Sequence, residues 1–218
     1  MANLKRTRED ILASAIALVH RQGLQSTGLK ELLTITQSSS GSFYNYFQSK
    51  DDFAHALIDF QWQQIRDSAF QYSQETTDNP IQQIFLVIDK IEAKHRAEIR
   101  CAGCLLGNLI VDLAEYDDTF RQHLQQIFDE WQRLFAKMLH RGKDQLRDHV
   151  DPDLLAEQIL MTLEGVLLIA RLYDQSDRLQ RGFNHVRHLI QSSLRHEYRD
   201  FDDNFDGNFN FVNGNIKT

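Results

Sequence analysis

The sequence predicts an all-α protein of about nine helices: an N-terminal three-helix unit followed by a larger helical body. Three observations predict it. Apolar residues recur at helical spacing, and no segment shows the strict alternation of a half-buried strand. Only 2 prolines and 10 glycines interrupt 218 residues, which favours long elements. Capping residues also stand in front of the apolar runs, and two of them precede a proline, which suits a first helical turn.

The elements follow in order. Residues 4–22 place Leu12, Ala15, Ile16 and Val19 on one helical face, with Gly23 suited to the position just past the end. Thr27 is expected to cap a second helix, with Leu29, Leu32 and Leu33 on its apolar side, ending near Thr36. Gln37-Ser38 forms the turn, and a third helix runs from Ser39 to about Tyr46. Ser49-Lys50-Asp51-Asp52 reads as a cap with acids in the first turn, opening a helix to about Gln74. After a polar break, Asn79-Pro80 starts a helix to about Glu98. Arg100 to Cys104 is a break, and Leu105 to Ala114 is a short apolar helix. Asp117 or Asp118 caps a helix reaching about Lys143. Asp151-Pro152 opens one that is apolar nearly all round between Ile159 and Ala170, which predicts burial on most sides. The last helix, to about Tyr198, carries the stripe Leu179, Phe183, Val186, Ile190 and Leu194. Residues 199–218, rich in Asn, Asp and Gly, are expected to be a disordered tail.

Composition narrows the function. An apolar content of 42% is globular, and no apolar run approaches the roughly 20 residues needed to span a bilayer. MANLKRTRED lacks the apolar core of a signal peptide, and two cysteines suit a reducing compartment, so a cytoplasmic protein is expected. There is no Ser/His/Asp spacing, Gly-rich phosphate loop or paired-carboxylate arrangement, so catalytic residues and a cofactor are not expected. Cys101-Ala102-Gly103-Cys104 lacks the second CxxC or HxxxH that would complete a zinc site, and His95 reads as surface, so no metal is expected. The net charge of −7 hides an asymmetry. Residues 1–50 hold six Lys/Arg against three acids, or +3, leaving −10 for the remainder. Such a split suits a nucleic-acid face on an acidic body.

The segment TGLKELLTITQSSSGSFYNYFQSK, residues 27–50, carries the sharpest signal. Its second helix is small and polar on one side and aromatic on the other. Hydroxyls can approach phosphates and base edges while aromatics anchor the helix from behind. The run Gly41-Ser42-Phe43-Tyr44-Asn45-Tyr46-Phe47, followed by Ser49-Lys50-Asp51, resembles the TetR family of bacterial repressors, and helix lengths extend the likeness over about residues 5–197. The turn departs from the family, with Gln37 where Gly is common and Ser38 where an apolar residue is common.

The resemblance implies a helix-turn-helix DNA-binding domain at 1–50 and a helical sensor and dimerisation domain at 51–198. Its partner would be an inverted-repeat operator in double-stranded DNA. Thr27 matches a helix-start hydroxyl that contacts phosphate; Ser39, Ser40 and Ser42 match groove-facing positions. Tyr44 and Lys50 match phosphate contacts, and Asn45, Tyr46 and Lys30 complete the candidate face. A single helix-turn-helix neutralises few phosphates, so a homodimer is expected. The resemblance places its interface on the last two helices, here with Leu179, Phe183, Val186 and Ile190.

Two inputs are open. Cys104, at a predicted first helical turn near Arg100, is placed where a thiolate would be favoured. The stretch GCLLGNLIVDLAE resembles the NemR-like branch, which implies a redox- or electrophile-sensing Cys104. Cys101 accompanies it, and Arg171 stands where that branch has lysine. The rival input is a non-covalent hydrophobic effector in a pocket built around Trp131, Phe135, Met161 and Tyr173. An interaction protein or enzyme without DNA binding is the alternative from another class.

Overall fold

A computed structural model describes residues 6–98, 100–173 and 176–202. It is all-α. The helices are α1 (Arg8–Gln22), α2 (Leu29–Ile35), α3 (Ser40–Tyr44), α4 (Lys50–Ile65), α5 (Tyr72–Thr76), α6 (Pro80–Arg96), α7 (Leu105–Leu113), α8 (Asp118–Arg141), α9 (Pro152–Ala170) and α10 (Ser176–Ser193). A π-helical segment, Arg66–Gln71, joins α4 to α5, so that 50–76 is one continuous rod.

Four helices start at the caps read from sequence, while α1 starts at Arg8, later than expected, on a cap not singled out there. Thr7 and Asp10 form a reciprocal capping box on α1, and Gly23 ends it at φ 81°. The side chains of Ser49, Asn79, Asp117 and Asp151 accept backbone N–H groups at the starts of α4, α6, α8 and α9. Thr27 differs. Gly28 is the residue preceding α2, and Thr27 is fully buried, its hydroxyl donating to the Gly23 carbonyl at 2.5 Å and accepting from Gln22 at 3.2 Å.

The turn between α2 and α3 is a Schellman motif. The Ser38 N–H reaches the Leu33 carbonyl at 3.0 Å and the Gln37 N–H the Thr34 carbonyl at 3.2 Å. That geometry puts Gln37 at φ 50°, a position glycine favours, so this chain tolerates the strain there. The third helix is also shorter than its sequence pattern predicts, because Asn45 ends it.

The core is continuous. Phe43, Phe47 and Phe53 pack ring to ring with centroids 5.1–5.5 Å apart, welding α3 to the base of α4. Trp62 stacks towards Trp131, joining α4 to α8. Arg187 bridges Asp89 and Glu92, pinning α10 to α6. Residues 199–202, expected in the tail, belong to a 3-10 segment, His196–Asp202; the remainder of that tail lies outside the described residues. Among the described residues, no helix is long and apolar enough to cross a membrane.

Candidate DNA-binding face and sensor cavity

The α2–α3 unit presents a polar face. Ser39, Ser40, Gly41, Asn45 and Lys30 are exposed, Tyr44 is 48% exposed, and Phe43 and Phe47 point into the core. Ser39 caps α3, accepting the Ser42 N–H at 3.1 Å, so its hydroxyl has a structural duty beside any groove contact. Ser42 is half-buried. Tyr46 is tied elsewhere, donating its hydroxyl to the Arg6 carbonyl at 3.2 Å. A phosphate role for the buried Thr27 does not fit its geometry. Lys50, at the first turn of α4, sets its ammonium 3.4 Å from the Gln25 carbonyl, in the loop between α1 and α2.

That loop is held by the body. Asp112, on α7, accepts the backbone N–H groups of Leu24 at 2.6 Å and Gln25 at 3.1 Å. A second link runs from α1: His20 Nε2 lies 2.7 Å from the Gly103 carbonyl, and His95 Nε2 lies 3.2 Å from the same oxygen. Gly103, at φ 83°, is packed under Arg171. A Cβ there would lie 2.7 Å from Arg171 Cδ and 3.2 Å from the Leu167 carbonyl. His95 is buried, not on the surface, and desolvation lowers the pKa of both His95 and His20, keeping them neutral near pH 7.

Cys104 corrects the thiolate expectation. It does cap α7, with Sγ 3.4 Å from the Gly107 N–H, but the residue is buried. Desolvation first, and then the neighbouring Glu164, push its thiol well above the ordinary range. The dipole of a nine-residue helix does not offset that burial. Burial also raises the Cys101 thiol. Arg171 donates to Asn108 at 2.7 Å, and Asn108 donates to the Ala102 carbonyl at 2.9 Å. The guanidinium therefore braces the loop and does not pair with Cys104. Glu164 is itself pushed up to about 7 by desolvation, and its Oε1 is buried without a hydrogen-bond partner among the described residues.

Beneath Gly103 and Cys104 lies a cavity of about 70 Å³, walled by α1, the rod 50–76, α6, α7, α8 and α9. Of the expected pocket residues Trp131 lines it, and its indole N–H is buried with no acceptor among the described residues. Phe135 is fully buried core away from the lining; Met161 is 64% exposed and Tyr173 38% exposed, so neither is a pocket wall. The π segment contributes Ser68 and Ala69 to the wall. Among the described residues no group of three His, Cys, Asp or Glu side chains could hold a metal ion.

The dimer stripe is also corrected. Leu179, Phe183, Val186 and Ile190 are at most 3% exposed because they close the monomer's own core. Exposed apolar side chains gather instead on α9 and its C-terminal end, Leu154, Met161, Leu168, Ile169 and Leu172, with Ile110 and Val111 of α7 exposed as well. A crevice between α9 and α10 lies beside it, with Gly165, Val166, Arg178 and Gly182 in its lining. Burial of α9 on most sides thus fails in the isolated chain.

Glu164, Asp112, His20 and Gln61 were not singled out from sequence. Glu164 had a signal, being the only acid in the apolar run 159–170. The others are separated in sequence from the residues they meet, so only the tertiary structure identifies them.

Comparison with known proteins matches this architecture. The family model described as bacterial regulatory proteins, tetR family, matches residues 11–57, and that described as tetracyclin repressor-like, C-terminal domain, matches 80–186. The transcriptional regulator AcuR of Cereibacter sphaeroides is 30% identical over 177 residues, covering 78% of this chain and 79% of that protein. The HTH-type transcriptional repressor NemR of Escherichia coli K12 is 23% identical, covering 84% and 94%. A crystal structure of a regulatory protein TetR from Rhodobacter sphaeroides, 28% identical, superposes with a TM-score of 0.74 over 83% of this chain and 97% of that one. The polar helix-turn-helix face, the helical body and these likenesses lead to one conclusion: the chain belongs to the TetR family, a family of DNA-binding transcription regulators and not of enzymes.

Proposed function

We propose that the protein is a homodimeric cytoplasmic repressor, with residues 1–50 binding DNA and 51–198 sensing and dimerising. Two copies of the face formed by Lys30, Ser39, Ser40, Ser42, Tyr44, Asn45 and Lys50 hold an inverted-repeat operator. A small effector in the cavity beneath Gly103 releases it. The observation that carries the coupling is the pair of links from body to DNA-binding unit: Asp112 on Leu24 and Gln25, and the Gly103 carbonyl on His20. Gln25 in turn accepts from Lys50, so a shift of α7 is transmitted to a phosphate-binding lysine. Dimerisation covers the exposed apolar residues of α9, a surface that a monomer would leave in water. Base discrimination by serines is shallow, so operator choice rests on half-site spacing, water and DNA shape.

A thiol input is a second reading with one observation in its favour: Cys104 lines the cavity, so a group added to its sulfur would occupy the effector's space. Its burial and raised pKa make the resting residue slow to react. Gel-shift titration against DNA upstream of the chain's own gene tests the reading, paired with sedimentation of the wild-type protein and Leu168→Glu. Binding as a dimer is expected, with Leu168→Glu losing both dimer and shift. A monomeric wild-type protein, or no shift by the folded dimer, would overturn it.

A further inference from the structure

The cavity's lining points to the chemistry of its occupant. A buried indole N–H without an acceptor costs free energy, because water that would otherwise bond to it has been removed. Trp131 is 1% exposed, and its N–H is in that condition. Trp62, the other tryptophan, shows how this chain satisfies an indole when it can, donating to Glu130 Oε2 at 2.9 Å. Beside Trp131 in the wall, the 4%-exposed Gln61 brings an amide. The imidazoles of His20 and His95 turn their Nε2 atoms to the Gly103 carbonyl. Lys90, Lys94 and Glu98 complete the lining, but Lys90 sets its ammonium 3.6 Å from the Tyr72 ring centroid, Lys94 is exposed, and Glu98 accepts the Ala102 N–H at 3.2 Å. The remaining wall is aliphatic, including Ile16, Ile65, Leu105 and Leu167.

We propose that this cavity binds a small aliphatic molecule carrying a carbonyl or carboxylate oxygen, which accepts the Trp131 indole N–H. The assignment rests on the effector reading above and gives that effector a chemical class. At about 70 Å³ the space is roughly half that of the dry cavity that admits benzene, which limits the buried part of the ligand to about four heavy atoms. A fragment of that size binds no tighter than roughly tens of micromolar.

Indole ¹H–¹⁵N spectra of the full-length protein test this directly, because the chain has two tryptophans and gives two such resonances. Acetate, acetone and xenon are the probes, the first two titrated to about 50 mM, far above the affinity limit just given. Trp131→Phe assigns its resonance by loss; Trp62→Phe assigns it by retention if that variant does not fold. Acetate or acetone should move the Trp131 signal downfield in a saturable way, more than the Trp62 signal already bonded to Glu130. Trp131→Phe should weaken acetate binding by about tenfold or more, the loss expected for a hydrogen bond to a charged acceptor. Acetate binding tighter than acetone assigns the carboxylate; the reverse order assigns the neutral carbonyl. A Trp131 signal that stays still with both, or that responds only to xenon, makes the cavity a packing void and overturns the proposal. That failure would leave operator binding by the dimer, measured separately, intact.

Discussion

Replacing Glu164 with glutamine should stabilise the protein at alkaline pH and do so in a pH-dependent way. The carboxyl lies buried between α9 and α7, set closely over Gly107. Its folded pKa is about 7 against an ordinary 4.5. Between those values the folded state holds a proton that the unfolded state has lost, so stability falls as pH rises from 4.5 through 7. Below 4.5 the cost is absent, and above 7 it is complete, at about 3 kcal/mol. Roughly 2.5 kcal/mol of that loss falls between pH 5 and pH 8.5. Glutamine does not titrate, so the stability gap between variant and wild type should widen by that amount over the interval. Any fixed cost of burying the amide cancels in the comparison, as do the histidines common to both proteins. Urea unfolding followed by tryptophan fluorescence reads this as a separation of midpoints that grows by about 1 M. A gap that is the same at both pH values would show that Glu164 ionises as an ordinary carboxyl.

Two further predictions concern the DNA-binding end. Gln37→Gly should raise stability by about 0.5–1 kcal/mol, because the Schellman position at φ 50° penalises any residue with a Cβ; an unchanged or lower urea midpoint would deny that strain. Asp112→Ala strips the acceptor from two backbone N–H groups. It should cost about 1–2 kcal/mol of stability and weaken operator binding, flattening the salt slope by no more than the loss of Lys50 itself does; unchanged operator affinity would deny the link from Asp112 through Gln25 to Lys50.

The fold was legible because helix starts are written locally. Ser49, Asn79-Pro80, Asp117 and Asp151-Pro152 each satisfy N–H groups a few residues away, so adjacent sequence carries the information. Thr27 misled because its hydroxyl had two local uses, and burial under the loop chose the bond to the Gly23 carbonyl over the cap. Gly41 to Lys50 pointed to DNA through a motif whose phenylalanines, Phe43 and Phe47, are core while Tyr44 is exposed. The face assignments on the last two helices failed for a different reason. A stripe at helical spacing states that one side is buried and leaves open what buries it. On α10 the stripe faces α6 and α9, while the uncovered apolar side belongs to α9. Cys104 failed similarly: the helix start was read correctly, but the burial that raises its thiol, and the Glu164 carboxyl sixty residues on that adds to it, are set by tertiary packing.

The central claim is that the 27–50 face meets phosphate through Lys50 and Tyr44, one of each per subunit. The most direct measurement is operator affinity of wild type, Lys50→Ala and Tyr44→Phe across a salt series. For a dimer, Lys50→Ala should remove two phosphate neutralisations, flattening log K against log salt by about 1.8. Tyr44→Phe, which deletes a neutral donor, should weaken binding with the slope unchanged. Affinity and slope that stay at wild-type values in both variants would contradict the assignment of this face to DNA.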